Sequence, residues 1–183
     1  MCGIVGAVSQ RNIVPVLVDG LYSLEYRGYD SAGIAVLNAQ QQIERIRRSG
    51  KVQMLDQGVV DSGLTGKIGI AHTRWATHGA PSEKNAHPHM VGDRIVLVHN
   101  GIIENYVHLR NSLLSEVQLS SETDSEIIAA LIWQEVVKHN KTLLQAVQAV
   151  VKVLEGAYAI AVLDAQQPGI MVAARCGSPI TIG

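Results

Sequence analysis

The sequence predicts an α+β fold in which β-sheets stack on one another and helices lie on the outside. Segments with strand character occur near both ends of the chain, and segments with helical periodicity lie between them. With 183 residues, 47% of them hydrophobic, one domain can bury a substantial core. No repeat, low-complexity tract or linker interrupts the chain, so residues 1–183 are treated as one domain.

The first half of the chain is predicted to begin with a strand and a helix. Residues 3–9 have the character of a short buried strand. Apolar residues then recur at helical spacing and predict a helix; they are Ile13, Val16, Leu17, Leu21 and Leu24. Further strands are predicted over 33–37, 42–48 and 67–72. Glycine, proline and short polar residues predict loops over 26–31 and 77–89.

The second half is predicted to carry the clearest helix start of the chain. A strand rich in β-branched residues is predicted over 94–99, ending at Asn100-Gly101. Asn105 is placed to cap a helix that runs to about Glu116. Residues 123–126 fit a capping box, in which Thr123 caps the helix and Glu126 occupies its third position.

The last part of the chain is predicted to contain one helix and two strands. The helix is predicted over 142–154, and the strands over 157–163 and 170–174. Ile180 and Ile182 resemble the beginning of another strand. The domain is therefore expected to be truncated at its C-terminus.

Charge and composition argue against several classes of partner. The chain has 15 basic and 16 acidic side chains, so no global field attracts nucleic acid or an anionic membrane. We expect neither partner. The densest basic cluster, Arg45, Arg47, Arg48 and Lys51, is interpreted as a solvated strand face and turn.

Cysteine usage and the N-terminus indicate a cytoplasmic protein. Cys2 and Cys176 form neither a disulfide framework nor a metal-binding spacing, and Cys176 is interpreted as a buried strand residue. The sequence has no signal-peptide pattern and no run of 18 apolar residues. His87 and His89 form an i, i+2 pair without a third placed ligand, so no metal and no other cofactor is expected.

Cys2 is the strongest candidate for a nucleophile. Removal of Met1 would leave its thiol beside a free α-amine, and an amine with a pKa near 8 can accept the thiol proton during attack. This pairing is typical of N-terminal-nucleophile hydrolases. On position alone, Cys2 is more simply the start of a buried strand, and if Met1 stays attached the base is missing and the sequence describes a precursor.

Other residues offer the remaining parts of an amide-cleaving site. Asn100 and Gly101 supply a side-chain NH₂ and a backbone N–H that can bind an oxyanion, although an ordinary Asn-Gly turn is the alternative. Asp124 can accept hydrogen bonds from a substrate ammonium or simply stabilise its helix.

A second group can bind a carboxylate. Arg74 is suited to bidentate binding, with Thr77 and His78 as further donors. The alternative is an arginine at the rim stacked on Trp75.

Six motifs carry a resemblance to a known family. They are MCGIVG (1–6), EYRGYDSAG (25–33), HTRWATHG (72–79), NAHPH (85–89), HNGIIEN (99–105) and SETDSE (121–126). In this order they resemble the glutaminase domain of the glucosamine-6-phosphate synthases, which are class II glutamine amidotransferases. The resemblance extends from Cys2 to Gly183. Amidophosphoribosyltransferase and asparagine synthetase share the cysteine start and the Asn-Gly pair but differ within 25–33 and 74–79.

The resemblance implies a fold and a reaction. The fold is a four-layer αββα sandwich of the N-terminal-nucleophile (Ntn) hydrolases, with two antiparallel sheets between helical layers. The reaction is hydrolysis of L-glutamine to glutamate and ammonia through a γ-glutamyl thioester on Cys2. Sugar-isomerase domains, which bind fructose 6-phosphate and complete glucosamine 6-phosphate synthesis, are absent from residues 1–183.

The resemblance also assigns catalytic roles to matching positions. Cys2 would be the nucleophile and its freed amine the base. Asn100 and Gly101 would form the oxyanion hole, and Arg27 would orient groups near Cys2.

The substrate-binding roles follow in the same way. Arg74, Thr77 and His78 would hold the α-carboxylate of glutamine, and Gly101 and Asp124 its α-ammonium. Trp75 would belong to a mobile lid.

Two other functions remain open from the sequence. The chain can be the glutaminase domain of another class II amidotransferase, similar to amidophosphoribosyltransferase, or a non-catalytic module that senses glutamine. An exposed sheet edge would favour a homodimer.

Overall fold

The computed structural model describes residues 2–75, 80–113 and 117–183, and gives only the backbone for Arg27 and Leu113. The strands are β1 (Gly3–Val8), β2 (Ser31–Leu37), β3 (Ile43–Ser49), β4 (Ile68–Arg74), β5 (His89–Val91), β6 (Ile95–Ile103), β7 (Gly156–Asp164) and β8 (Met171–Cys176). The helices are α1 (Val14–Leu24), α2 (Val52–Ser62), α3 (Tyr106–Leu113), α4 (Asp124–Val137) and α5 (Leu143–Val150), and a 3₁₀ turn (Glu25–Arg27) follows α1.

The strands form two antiparallel sheets of four strands each. The strand order is β1-β4-β2-β3 in the first sheet and β5-β6-β7-β8 in the second. Helices α1 and α2 pack on the outside of the first sheet, whereas α3, α4 and α5 pack on the second. A third apolar cluster lies between the sheets. The predicted four-layer αββα arrangement is therefore confirmed.

Strand alternation determines which polar residues enter the layer between the sheets. Ile68 and Ile70 of β4 belong to the inter-sheet cluster, so His72 and Arg74 project from the same face of this strand. On the facing sheet, Val96 and Val98 of β6 point into the layer and Asn100 follows them. The apolar layer consequently becomes polar at one end.

Strand β6 does not end at Asn100-Gly101, as predicted, but continues to Ile103. Gly101 pairs with Tyr158 and has a φ of 139°. A Cβ at this position would lie 2.1 Å from the Ala157 carbonyl oxygen. The glycine thus permits close contact between two strands, and the alternative of an ordinary Asn-Gly turn is excluded at this position.

The helix caps follow the predictions only in part. Thr123 accepts a hydrogen bond from the Glu126 N–H, as a capping box requires. The Glu126 carboxylate instead accepts from the Ser120 and Ser121 backbone N–H groups. Burial alone would raise the pKa of Glu126, but these donors lower it below its ordinary value. The Asn105 side chain does not cap α3.

Asn105 instead ties two connections together. Its Nδ2 donates to the Val153 carbonyl oxygen at 2.8 Å, and its Oδ1 accepts from the Glu155 N–H at 3.2 Å. The predicted helix end near Glu116 lies outside the described residues. Residue Cys176, predicted to be buried, is exposed at the end of β8, and Ile180 and Ile182 form no strand.

Arg45 and Arg47 are not a solvated face but anchor the loop that precedes β5. Arg47 Nη1 donates to the carbonyl oxygens of Lys84 at 3.1 Å and Ala86 at 3.0 Å. Arg45 Nη1 donates to the Pro88 carbonyl oxygen at 3.1 Å. Burial lowers the pKa of Arg45 to about 10, which leaves it charged at neutral pH.

Replacing Arg47 with methionine is expected to loosen this loop. Hydrogen bonds from charged donors contribute about 1.5–3 kcal/mol to stability. Because Arg47 is half-buried, we expect the substitution to lower the free energy of unfolding by about 1–2 kcal/mol. Amide hydrogen exchange over 82–88 should accelerate. Arg48→Met is the matched control, because Arg48 Nη1 donates to the Arg47 carbonyl within its own strand. Equal exchange in both variants would contradict the anchoring role.

No helix in the described part of the chain combines the length and the apolar character needed to cross a bilayer.

Candidate functional site

A small cleft opens where the layer between the sheets becomes polar. The space within it is about 270 Å³, a figure that includes the solvent at its open mouth. It is lined by Cys2, Arg74, Trp75, His87, His99, Gly101, Thr123, Asp124 and Ser125. The cleft therefore suits a small polar ligand, and it contains four of the residues nominated from the sequence together with Trp75.

Cys2 lies immediately before β1 and faces the backbone of residue 75. The Trp75 N–H donates to Cys2 Sγ at 3.2 Å, and Sγ lies 3.6 Å from the Trp75 carbonyl oxygen. Burial raises the pKa of the Cys2 thiol above its ordinary value, whereas the Trp75 N–H opposes this shift by stabilising the thiolate. A base that removes the proton during attack would thus be useful here.

Groups of opposite charge line the same cleft. Arg74, at the end of β4, is 3% exposed, and its Nη1 lies 3.9 Å from Asp30 Oδ1. Asp124, at the start of α4, is also 3% exposed, and its Oδ2 accepts from the Ile103 N–H at 2.9 Å. A zwitterionic amino acid carries the two charges that complement these side chains.

Asn100 and Gly101 are consecutive residues of β6, but only Gly101 is part of the cleft lining. Asn100 projects into the layer between the sheets. Asn100 Oδ1 lies 2.7 Å from His72 Nε2, on the opposite sheet. This contact was not predicted from the sequence.

Three buried histidines form a cluster at the cleft, and one of them, His87, belongs to its lining. The ring centroids of His72 and His87 are 4.1 Å apart, and those of His87 and His89 are 4.7 Å apart. His89 Nε2 lies 3.0 Å from the Thr123 hydroxyl. Burial lowers the pKa of all three, that of His72 to about 3, so the rings are neutral at pH 7.

Within residues 2–75, 80–113 and 117–183, no group of three His, Cys, Asp or Glu side chains is arranged to hold a metal ion. The spacing of His87 and His89 suggests only metal binding as a role for them, and the sequence assigns no role to His72. The position of His72 near the site could have been inferred from spacing, because His72 precedes Arg74 by two residues and so lies on the same face of the strand.

Thr77 and His78 lie outside the described residues, and Arg27 is described only by its backbone, in the 3₁₀ turn. Trp75 is 54% exposed, and its ring covers Gly28, where a Cβ would lie 2.9 Å from ring atom Cζ3. The proposed lid role of Trp75 stays a prediction.

Comparisons with known proteins agree on one kind of domain. A family model described as "Glutamine amidotransferase domain" matches residues 72–177. The chain is 54% identical to glutamine–fructose-6-phosphate aminotransferase (isomerizing) of Photorhabdus laumondii and 57% identical to that of Vibrio vulnificus. Each match covers 100% of this chain and 30% of the relative.

Solved structures share the fold. Glutamine phosphoribosylpyrophosphate amidotransferase from B. subtilis, complexed with ADP and GMP, superposes with a TM-score of 0.78 at 24% identity, covering 96% of this chain and 37% of that chain. A structure described as the allosteric regulatory enzyme of purine biosynthesis gives a TM-score of 0.72 at 27% identity, covering 88% and 34%.

Proposed function

Because this chain belongs to the glutamine amidotransferase domain family, we propose that it hydrolyses L-glutamine to glutamate and ammonia. The observation that carries the proposal is the presence of the Cys2 thiol, the Arg74 guanidinium and the Asp124 carboxylate in one small cleft. A nucleophile and the two charges that complement an amino acid are thus available together.

The reaction begins with attack by Cys2. Its Sγ bonds to the carboxamide carbon of glutamine, its proton passes to the α-amine freed by removal of Met1, and the carbonyl oxygen becomes an oxyanion. The Gly101 N–H and the Asn100 NH₂ donate to that oxyanion. When the C–N bond breaks, the protonated amine returns the proton to the leaving nitrogen, and ammonia departs.

Water completes the cycle. It attacks the γ-glutamyl thioester, the S–C bond breaks, and glutamate leaves as the thiol is restored. Arg74, with Thr77 and His78, holds the substrate α-carboxylate during both steps. Asp124 and the Gly101 carbonyl oxygen hold the α-ammonium, and Arg27 orients groups near Cys2.

We also propose a place for this activity in a longer protein. The chain spans 30% of the length of the curated relatives it matches, at 54–57% identity along its whole length. Residues 1–183 would correspond to the glutaminase domain of those relatives. The ammonia would then convert fructose 6-phosphate, bound by sugar-isomerase domains, into glucosamine 6-phosphate.

A direct assay tests the hydrolysis. Intact mass should show loss of Met1, and this processed protein should release glutamate and ammonia from L-glutamine but not from L-asparagine, whose shorter side chain moves the amide away from Cys2. Glutamine binding without glutamate release would favour a glutamine-sensing module instead. For a longer protein that contains this domain, ammonia transfer to fructose 6-phosphate rather than to phosphoribosyl pyrophosphate would exclude the amidophosphoribosyltransferase-like alternative.

A homodimer is a separate proposal. Strand β8 forms one edge of the second sheet in the described part of the chain, and two such edges can pair. Sedimentation at several concentrations would detect this dimer.

A further inference from the structure

His72 makes contacts that determine where its proton lies. Its Nε2 is 2.7 Å from Asn100 Oδ1 and 3.0 Å from the His99 carbonyl oxygen. A backbone carbonyl oxygen can only accept, so Nε2 must carry a hydrogen for this contact to be favourable. The ring is fully buried and its pKa is lowered to about 3, so it is neutral and holds its single proton on Nε2.

This tautomer also determines the orientation of the Asn100 side chain. An asparagine amide has an oxygen that accepts and an NH₂ that donates, and a half-turn exchanges them. Since His72 Nε2 donates, the oxygen of Asn100 must face it, as it does in the structure. The Asn100 NH₂ can then donate a hydrogen bond to a different acceptor.

We propose that His72 is a positioning residue for the oxyanion hole: its neutral ring fixes the Asn100 amide so that the NH₂, not the oxygen, is presented to the developing oxyanion. This inference rests on the proposed glutamine hydrolysis. The reversed amide would place an oxygen against the oxyanion, which repels it and removes a donor. His72 acts through Asn100 and does not touch the substrate.

The surroundings of His72 favour this role over simple core filling. Its Nδ1 is buried and has no hydrogen-bond partner among the described residues, which is an unfavourable state for a polar atom. An apolar side chain would avoid that cost. The one polar function of the ring is therefore directed at Asn100 and the adjacent His99 carbonyl.

Two amide substitutions separate position from polarity. In His72→Gln the side-chain NH₂ reaches approximately the place of Nε2, whereas in His72→Asn it is one methylene shorter. Removal of an oxyanion donor lowers kcat about 10²–10³-fold, so for His72→Asn we expect a loss of about 10–100-fold in kcat with KM unchanged. His72→Gln should recover most of the activity. Equal kcat in the two variants would overturn the proposal.

A transition-state mimic provides a readout that a structural role would not move. The γ-aldehyde analogue of glutamine forms a tetrahedral adduct with Cys2, whose oxygen occupies the oxyanion hole. His72→Asn should weaken binding of this aldehyde by the same factor as kcat, yet leave the affinity for glutamate unchanged. Equal weakening of both ligands would indicate a general distortion of the site and overturn the proposal.

A double-mutant cycle tests the route through Asn100. In an Asn100→Ala background, His72→Asn should have no further effect on kcat, because the group that His72 orients is gone. Additive losses would overturn the inference. If the unaltered protein does not hydrolyse glutamine at all, the proposed function fails instead, so the two failures are distinguishable.

Discussion

Replacing Cys2 with alanine is expected to abolish glutamine hydrolysis while glutamine binding changes little. In the proposed reaction the thiol forms the covalent intermediate, and loss of a nucleophile of this kind lowers kcat by at least about 10³-fold. In the same proposal, binding depends on the charged groups of Arg74 and Asp124, which also line the cleft. Turnover should be measured by glutamate release and binding by calorimetry.

The second cysteine provides the control for this experiment. Cys176 is exposed at the end of β8 and does not line the cleft, so Cys176→Ala should keep full activity. A glutamine-like electrophile should label Cys2 in the Cys176→Ala variant and nothing in the Cys2→Ala variant. Substantial hydrolysis by Cys2→Ala would exclude Cys2 as the nucleophile.

Replacing Asp124 with asparagine should weaken glutamine binding by about 1.5–3 kcal/mol, the contribution expected for a charge-assisted hydrogen bond. The neutral amide no longer attracts the substrate ammonium. Its oxygen can still accept from the Ile103 N–H, so the start of α4 should stay in place. The free energy of unfolding, measured by thermal denaturation, should therefore change less than the free energy of glutamine binding.

An exposed aspartate serves as the matched control for this change. Asp19 lies on the outer surface of α1, so Asp19→Asn alters net charge equally without reaching the cleft. Calorimetry on both variants separates the local contact from the general loss of charge. An unchanged dissociation constant in Asp124→Asn would remove Asp124 from the binding site.

Hydrophobic patterns predicted most of the fold because they report burial directly. The strand character of 67–72, the β-branched residues of 94–99 and the helical spacing in α1 led to nearly correct elements. Helix α2 was missed, although Val52, Leu55 and Val59 recur at helical spacing and share one buried face. The anchoring role of Arg47 was missed because its acceptors are backbone carbonyls, which every sequence contains.

The candidate site was predictable where a residue's chemistry is distinctive. Cys2, Arg74, Gly101 and Asp124 were nominated from the sequence, and all four line one cleft. The pairing of His72 with Asn100 was not predictable, since it joins residues 28 positions apart across two sheets. Only the stacking of those sheets brings the two side chains together.

The buried histidine cluster makes the stability of this domain depend on pH. The rings of His72, His87 and His89 have pKa values below the 6.5 of an exposed histidine, so the unfolded chain binds more protons than the folded one once the pH drops below 6.5. Stability is complete above that pH and declines below it, for His72 down to a pH of about 3. In mildly acidic surroundings, the folded domain is therefore expected to be less stable than at neutral pH.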